Sequence, residues 1–251
     1  MVNPFVALYL KKNPMCFHIS QTKTSKELAT RYQATHSILP SKEKELPFFY
    51  HANGFAHPVL TLLTQEAPRM LTTALWGIVP SGEDASSLHA YYKKAAAFGG
   101  GLNAQAEKLF THFLYQRAAF TQKCLIPVTG FFEPHEATGK KIPYYITRKD
   151  KEAFSLAGIY SKVGSLITCS ILTKEASPFF AQVHNIKKRQ PVLVHQSMEQ
   201  EWLQGQLQEK EILEVLETPY PEEELHYYPV FKSIFHPSQN SNIPEAIDPL
   251  V

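Results

Sequence analysis

The spacing of apolar residues changes repeatedly along the chain, and each change marks an element. Residues 25–32 carry apolar side chains at helical spacing, and Pro40 prevents that helix from running on. From Pro47 the texture becomes aromatic and alternating. Residues 48–50 and 59–63 read as strands on either side of the turn signal Asn53-Gly54, and residues 71–79 as a further strand stopped by Pro80-Ser81-Gly82. Asp84 is placed to cap a helix over residues 86–97, which Gly99-Gly100-Gly101 ends. Ala106, Leu109, Phe110, Phe113, Leu114 and Arg117 then predict a helix with one apolar face, and Asn103 falls where its N-cap belongs. Five strand-like runs follow at residues 124–127, 130–133, 143–147, 154–160 and 166–172, with Gly139 and Gly164 at turns. A short helix opened by Ser177-Pro178, a strand at 191–194, helices at 200–203 and 211–216 and a last strand at 227–231 complete the pattern. Consecutive short strands favour antiparallel hairpins over parallel units, so the expected class is α+β: an antiparallel β core flanked by helices.

With 251 residues, 44% of them hydrophobic, the chain can bury a full core, and no compositional break divides it. A formal charge of +2 is too small for coating nucleic acid by bulk electrostatics, so any such contact must be local. Short basic clusters at Lys11-Lys12, Lys93-Lys94, Lys140-Lys141 and Lys187-Lys188-Arg189 are either solvated faces or phosphate contacts. Cys16, Cys124 and Cys169 are odd in number and far apart, which points to a reducing cytoplasmic compartment rather than a disulfide framework. No His, Cys or acid spacing suits zinc, and neither metal nor cofactor is expected. The apolar run at residues 5–10 is too short to span a bilayer, and its lysines follow rather than precede it.

Met15-Cys16 carries the most distinctive chemistry. If Met15 were the initiator and were removed, Cys16 would bear a free α-amine beside its thiol. An α-amine titrates near ~7.7–8.0, so part of it is unprotonated at neutral pH and can condense with an aldehyde, after which the thiol closes a thiazolidine ring. A buried, inert cysteine is the alternative. Glu133, set between Phe131-Phe132 and Pro134, is placed for a desolvated carboxyl with a raised pKa suited to acid/base work.

Six blocks stand together in order: Met15-Cys16, Trp76-Gly77-Ile78-Val79-Pro80, Asn103-Ala104-Gln105-Ala106-Glu107, Cys124 to Glu133, Ala157-Gly158-Ile159 and His184 to Val194. In order and spacing they resemble the SRAP (SOS response-associated peptidase) family of abasic-site processing proteins, over residues 15–232. The resemblance implies a mixed fold around antiparallel, barrel-like sheets and a positive groove for single-stranded DNA. It implies that an N-terminal cysteine condenses with the ring-opened abasic sugar as a covalent thiazolidine, shielding the lesion in the DNA-damage response. Autoproteolysis and abasic-site lyase activity come with it, as does location in the bacterial cytosol or nucleoid. Carried over position by position, Cys16 matches the nucleophile, Asn103 a holder of the amine or sugar, Glu133 the proton donor, and His184 a helper in proton transfer or at the 3′ phosphate. Trp76, Pro80, Lys187 and Arg189 are the expected DNA contacts, and the partner is single-stranded DNA with abasic sites, met by a monomer away from any membrane.

Three positions depart from the family pattern: Gln105 where arginine is usual, Gln190 where methionine is usual, and Pro134 where tryptophan often follows the glutamate. Cys16 is also not residue 2. The expected division is therefore an extension at residues 1–15, absent or removed in the active protein, a domain at 16–236 and a polar tail at 237–251. Initiation at Met15 is favoured over removal of the extension. Two other readings use the same residues: a cysteine peptidase or amidase built on Cys16 and His184, and a non-covalent single-strand binder in which Trp76 and Phe132 stack on bases.

Overall fold

The computed structural model describes residues 16–36, 45–236 and 239–250; residues 1–15, with the 5–10 run and Lys11-Lys12, and Pro40 lie outside the described residues. Strand β1 (His18–Gln21), helix α1 (Ser25–Tyr32) and β2 (Thr35–His36) precede β3 (Phe49–Asn53) and the hairpin of β4 (Val59–Thr64) and β5 (Ala67–Trp76). Helix α2 (Leu88–Ala95) leads to β6 (Asn103–Gln105) and α3 (Gln116–Thr121). Five longer strands follow: β7 (Lys123–Val128), β8 (Gly130–Ala137), β9 (Lys140–Arg148), β10 (Phe154–Val163) and β11 (Leu166–Glu175). Helix α4 (Pro178–Val183), β12 (Arg189–Pro191), β13 (Leu193–Val194), α5 (Glu199–Trp202), α6 (Glu209–Glu217) and β14 (Leu225–Pro229) complete the regular elements.

A closed barrel forms from β5, β4, β7, β10 and β11. Each neighbour is antiparallel except the last, where β11 meets β5 in parallel through Thr168 opposite Leu75 and Cys169 opposite Trp76. Closure removes both sheet edges. Leu60, Leu62, Trp76, Ile126, Leu156, Tyr160 and Ile171 fill one side of these strands. Leu63, Leu71, Leu125, Ile159 and Leu172 face the other way, under Trp202, Ile212 and Val215 of α5 and α6. All six residues of β7 are buried, which is why residues 124–128 read as a continuous apolar run rather than an alternation.

The second sheet has the order β14-β9-β8-β1-β3, antiparallel throughout. In it β1 lies between β8 and β3, with Ile19 opposite Phe131 and His18 opposite Asn53, so the segment bearing Cys16 runs beside the strand bearing Glu133. Gly130 is required at this seam because a Cβ there would overlap the Tyr145 ring, whose hydroxyl is 2.6 Å from Ser20 Oγ. Gly130→Ala is expected to cost ~1–3 kcal/mol by overpacking and to lower the melting temperature by several degrees in a thermal scan; an unchanged melting point would contradict this packing.

The helix and strand expectations hold at most positions, including α1 with its Thr24/Glu27 capping box and the Asp84-capped turn leading into α2. Two do not. The 106–117 helix is replaced by a 3₁₀ turn at Ala106–Lys108 and a chain of tight turns, with α3 beginning only at Gln116. Asn103 is accordingly no helix cap: it pairs with Ile171 of β11. Residues 239–250 lie against the second sheet. Asn242 Oδ1 accepts from the backbone N–H groups of Tyr50 and His51 at 2.9 and 3.2 Å, standing in for a strand neighbour of β3, and Ala246 packs with Phe132, Tyr145, Val230 and Ile234. Among the described residues no helix is long and apolar enough to cross a membrane.

Candidate active site

Cys16 lies just ahead of β1 and is held by its neighbours' backbone. Its carbonyl accepts a hydrogen bond from Asn103 Nδ2 at 2.9 Å, and the next carbonyl, of Phe17, accepts from Gly54 N–H at 2.8 Å while the Phe17 ring leans on Phe55. Asn103 is fixed in turn from behind. The Trp76 indole N–H donates to Leu102 O at 2.8 Å, and β6 pairs with the buried strand β11. Trp76 is fully buried in this role, and Phe132 likewise, so neither offers a face to a base; their expected stacking function is corrected on this ground.

Glu133 projects from β8, and His184 follows the last turn of α4. His184 Nδ1–H donates to Arg189 O at 3.0 Å, which leaves Nε2 as the lone-pair nitrogen. Glu133 Oε2 is 3.5 Å from Nδ1, too far for a hydrogen bond. Asn185 locks this placement: its side-chain amide donates to Glu136 O at 2.8 Å and its oxygen accepts from Glu136 N–H at 3.0 Å, zipping the 184–189 loop onto β8. Sequence reasoning missed Asn185, since an amide that imitates a strand partner leaves no periodic signal.

The three titratable groups are all shifted toward their uncharged forms. Burial pushes the Glu133 carboxyl up to about 8. The Cys16 thiol is driven well above its ordinary value by burial first, then by the charge of Glu133 and the thiol's contact with that carboxyl; the His18 backbone N–H offsets part of this. Burial also lowers His184, with Lys141 and Lys187 adding repulsion and the bond to Arg189 O opposing. Burial thus favours the neutral imidazole, with Nε2 as an acceptor.

Four buried polar atoms here have no hydrogen-bond partner of normal geometry: Asn103 Oδ1, both oxygens of Glu133 and His184 Nε2. Unsatisfied buried groups typically cost ~1–3 kcal/mol each, and such a concentration marks a place where partners from outside the chain can be bound. The arrangement is thus a proton-rich, uncharged cluster beside a thiol. It can donate to and accept from a polar group placed beside the Cys16 thiol.

Lys187 is exposed, and together with Lys141 it forms a cationic rim felt by His184. Arg189 is not free: its guanidinium forms a bidentate pair with Glu107, at 2.6 and 3.0 Å, and also donates to Thr173 O. It braces the loop rather than offering a charge to phosphate. Pro80 is half-buried and its carbonyl accepts from Glu83 N–H at 3.1 Å. Of the departures, Gln190 is buried with its Oε1 accepting from Ser177 N–H at 2.7 Å, so it caps the start of α4 where an apolar side chain would leave that donor open. Gln105 lies half-buried on β6 and Pro134 is buried on β8 opposite Pro143.

The sequence profile of the SOS response associated peptidase (SRAP) family matches residues 15–237. Abasic site processing protein YoaM of Bacillus subtilis (strain 168) is 26% identical over 216 residues, covering 84% of this chain and 83% of that protein. Abasic site processing protein YoqW of the same organism is 28% identical over 208 residues, with 79% and 87% covered. Among solved structures, a crystal structure of a protein from Bacteroides thetaiotaomicron superposes with a TM-score of 0.80 at 26% identity, covering 94% of this chain and all of that one.

Proposed function

This chain belongs to the SOS response associated peptidase (SRAP) family, and we propose that it captures abasic sites in single-stranded DNA as a covalent thiazolidine at Cys16. The observation that carries the reading is the set of unpartnered polar atoms of Asn103, Glu133 and His184 gathered about the Cys16 main chain and thiol. The residue roles below rest on this geometry.

The reactive form has Cys16 as its first residue, through initiation at Met15 and methionine removal or through loss of residues 1–15. Neutral Glu133 gives its proton to the ring oxygen of the abasic sugar as the C1′–O4′ bond breaks, and takes the C1′ hydroxyl proton in exchange, leaving the aldehyde. The α-amine, steadied by Asn103 Oδ1, adds to C1′. Proton transfer from Glu133 to the new hydroxyl expels water, and the carboxylate takes up the proton from nitrogen, leaving an imine. The thiol sulfur then adds to the imine carbon, its proton passing through Glu133 to the nitrogen. Aldehyde, amine and thiol have become a thiazolidine and one water. A thiol with a raised pKa suits this order, since the amine attacks first and the sulfur need not be a free thiolate beforehand. His184 Nε2 accepts from the sugar or relays a proton, and Lys141 and Lys187 face the phosphates.

Protein initiated at Met15 is incubated with a single-stranded oligonucleotide whose uracil has been removed by a glycosylase. A heat-stable shifted band on a denaturing gel, absent with the intact strand, is the expected result; protein and DNA running apart would remove this reading.

A further inference from the structure

We propose that Phe113 is the outer face of a built stacking platform for an unpaired base flanking the abasic nucleotide, an inference that rests on the single-stranded DNA reading above. Phe113 is 75% exposed, although it stands in the segment where helical spacing assigned it to an apolar face. Its neighbours are not loose. Leu109 is fully buried and Phe110 and Leu114 pack on the same core, while the backbone is tied by Thr111 and His112 N–H to Lys108 O and by Tyr115 and Gln116 N–H to His112 O. The segment thus holds its apolar residues inward and presents one ring outward.

That ring caps a three-layer stack. Phe113 lies on His112 at 4.8 Å between centroids and 28° between planes, and His112 lies on Tyr115 at 4.1 Å and 19°. His112 Nδ1 accepts from Leu114 N–H at 3.3 Å, which fixes the middle ring, and burial and Lys108 both favour its neutral form. The inner end reaches the reaction site: the Tyr115 hydroxyl contacts Asn103 O at 3.5 Å, and Asn103 holds the Cys16 carbonyl. Parallel rings at these spacings continue naturally into a nucleobase, since stacked bases in a strand are separated by ~3.4 Å and aromatic faces accept any base. Charge agrees with an anionic backbone here. Lys108 is exposed beside the stack, and the neighbouring acid, Glu107, is neutralised by Arg189. A strand crossing the site would meet Lys141 and Lys187 on the His184 side and the ring stack on the Asn103 side.

The test is equilibrium binding of the full 251-residue chain to single strands carrying a non-reactive tetrahydrofuran abasic analogue, with a fluorescent purine placed at successive flanking positions. The native protein is expected to quench the probe at one flank. Phe113→Ala is expected to lose that quench and bind about 10-fold more weakly, Phe113→Trp to retain both, and all three to bind a strand made of base-free spacers equally. Unchanged affinity and quench in Phe113→Ala, or an equal loss on the base-free strand, would overturn the platform while leaving the abasic-site reading intact. A native protein that binds none of these strands would overturn both.

Discussion

Cys16→Ala is expected to abolish the heat-stable adduct altogether, whereas Cys16→Ser, in protein initiated at Met15, is expected to leave an imine that hydrolyses on heating and is trapped only by borohydride. The alanine protein keeps its α-amine but has no second nucleophile, and an imine is in equilibrium with free aldehyde. Ring closure by sulfur is what makes the product persist. Neither substitution disturbs the hydrogen bond from Asn103 to the residue-16 carbonyl, which is a main-chain contact, so loss of the adduct in these variants reports chemistry rather than misfolding. An adduct of native yield in Cys16→Ala on a denaturing gel would place the bond elsewhere.

Glu133→Gln is expected to slow adduct formation by ~10²–10⁴-fold, the range of a lost general acid or base, with little change in DNA affinity. The pH profile should change shape as well. In the native protein the free amine fraction rises through ~7.7–8.0 while protonated Glu133 is lost through about 8, giving a bell centred near their crossing. The glutamine variant should keep the rising limb and lose the falling one. Stability moves the opposite way. An unfolded glutamate titrates near ~4.3 and the folded one near about 8, so between these values the folded state binds the extra proton and stability falls as pH rises, with no further change above the folded value. The variant cannot ionise and escapes that loss. It should melt with the native protein near pH ~4 and hold a margin of at least ~2 °C at alkaline pH. A variant that crosslinks at the native rate in single-turnover measurements, or that gains no margin over the native protein with rising pH, would remove Glu133 from the acid's role.

The site was more legible in the sequence than the frame that builds it. Phe131-Phe132 and Pro134 around Glu133 announced a desolvated carboxyl because a two-residue alternation inside a buried sheet has few ways to keep a charge wet. Asn103 holds the Cys16 carbonyl, the Cys16 thiol meets Glu133 and Glu133 lies 3.5 Å from His184, but nothing local records that β1 inserts between β3 and β8, or that β5 closes on β11 in parallel. Those are long-range pairings, fixed by the packing of both faces. Trp76 misled for a related reason: an indole near the motif looks available for stacking, yet its N–H was needed on Leu102 O to position Asn103. Phe113 misled in reverse. Its i, i+3, i+4 spacing matched a helix that the tight turns after Lys108 replace, and the ring ended up outside.

The thiazolidine requires the residue-16 nitrogen as an amine, and a peptide bond at that atom withdraws its lone pair by resonance. Intact-mass spectrometry of the 251-residue chain and of protein initiated at Met15, each incubated with abasic single-stranded DNA, therefore tests the account most directly. Protein initiated at Met15 should begin at Cys16 and gain the mass of the strand less one water, in a product that borohydride does not alter. The full chain should bind the strand but show no such product while residues 1–15 stay attached. A stable adduct of that composition on the uncleaved chain, mapped to Cys16, would contradict the mechanism.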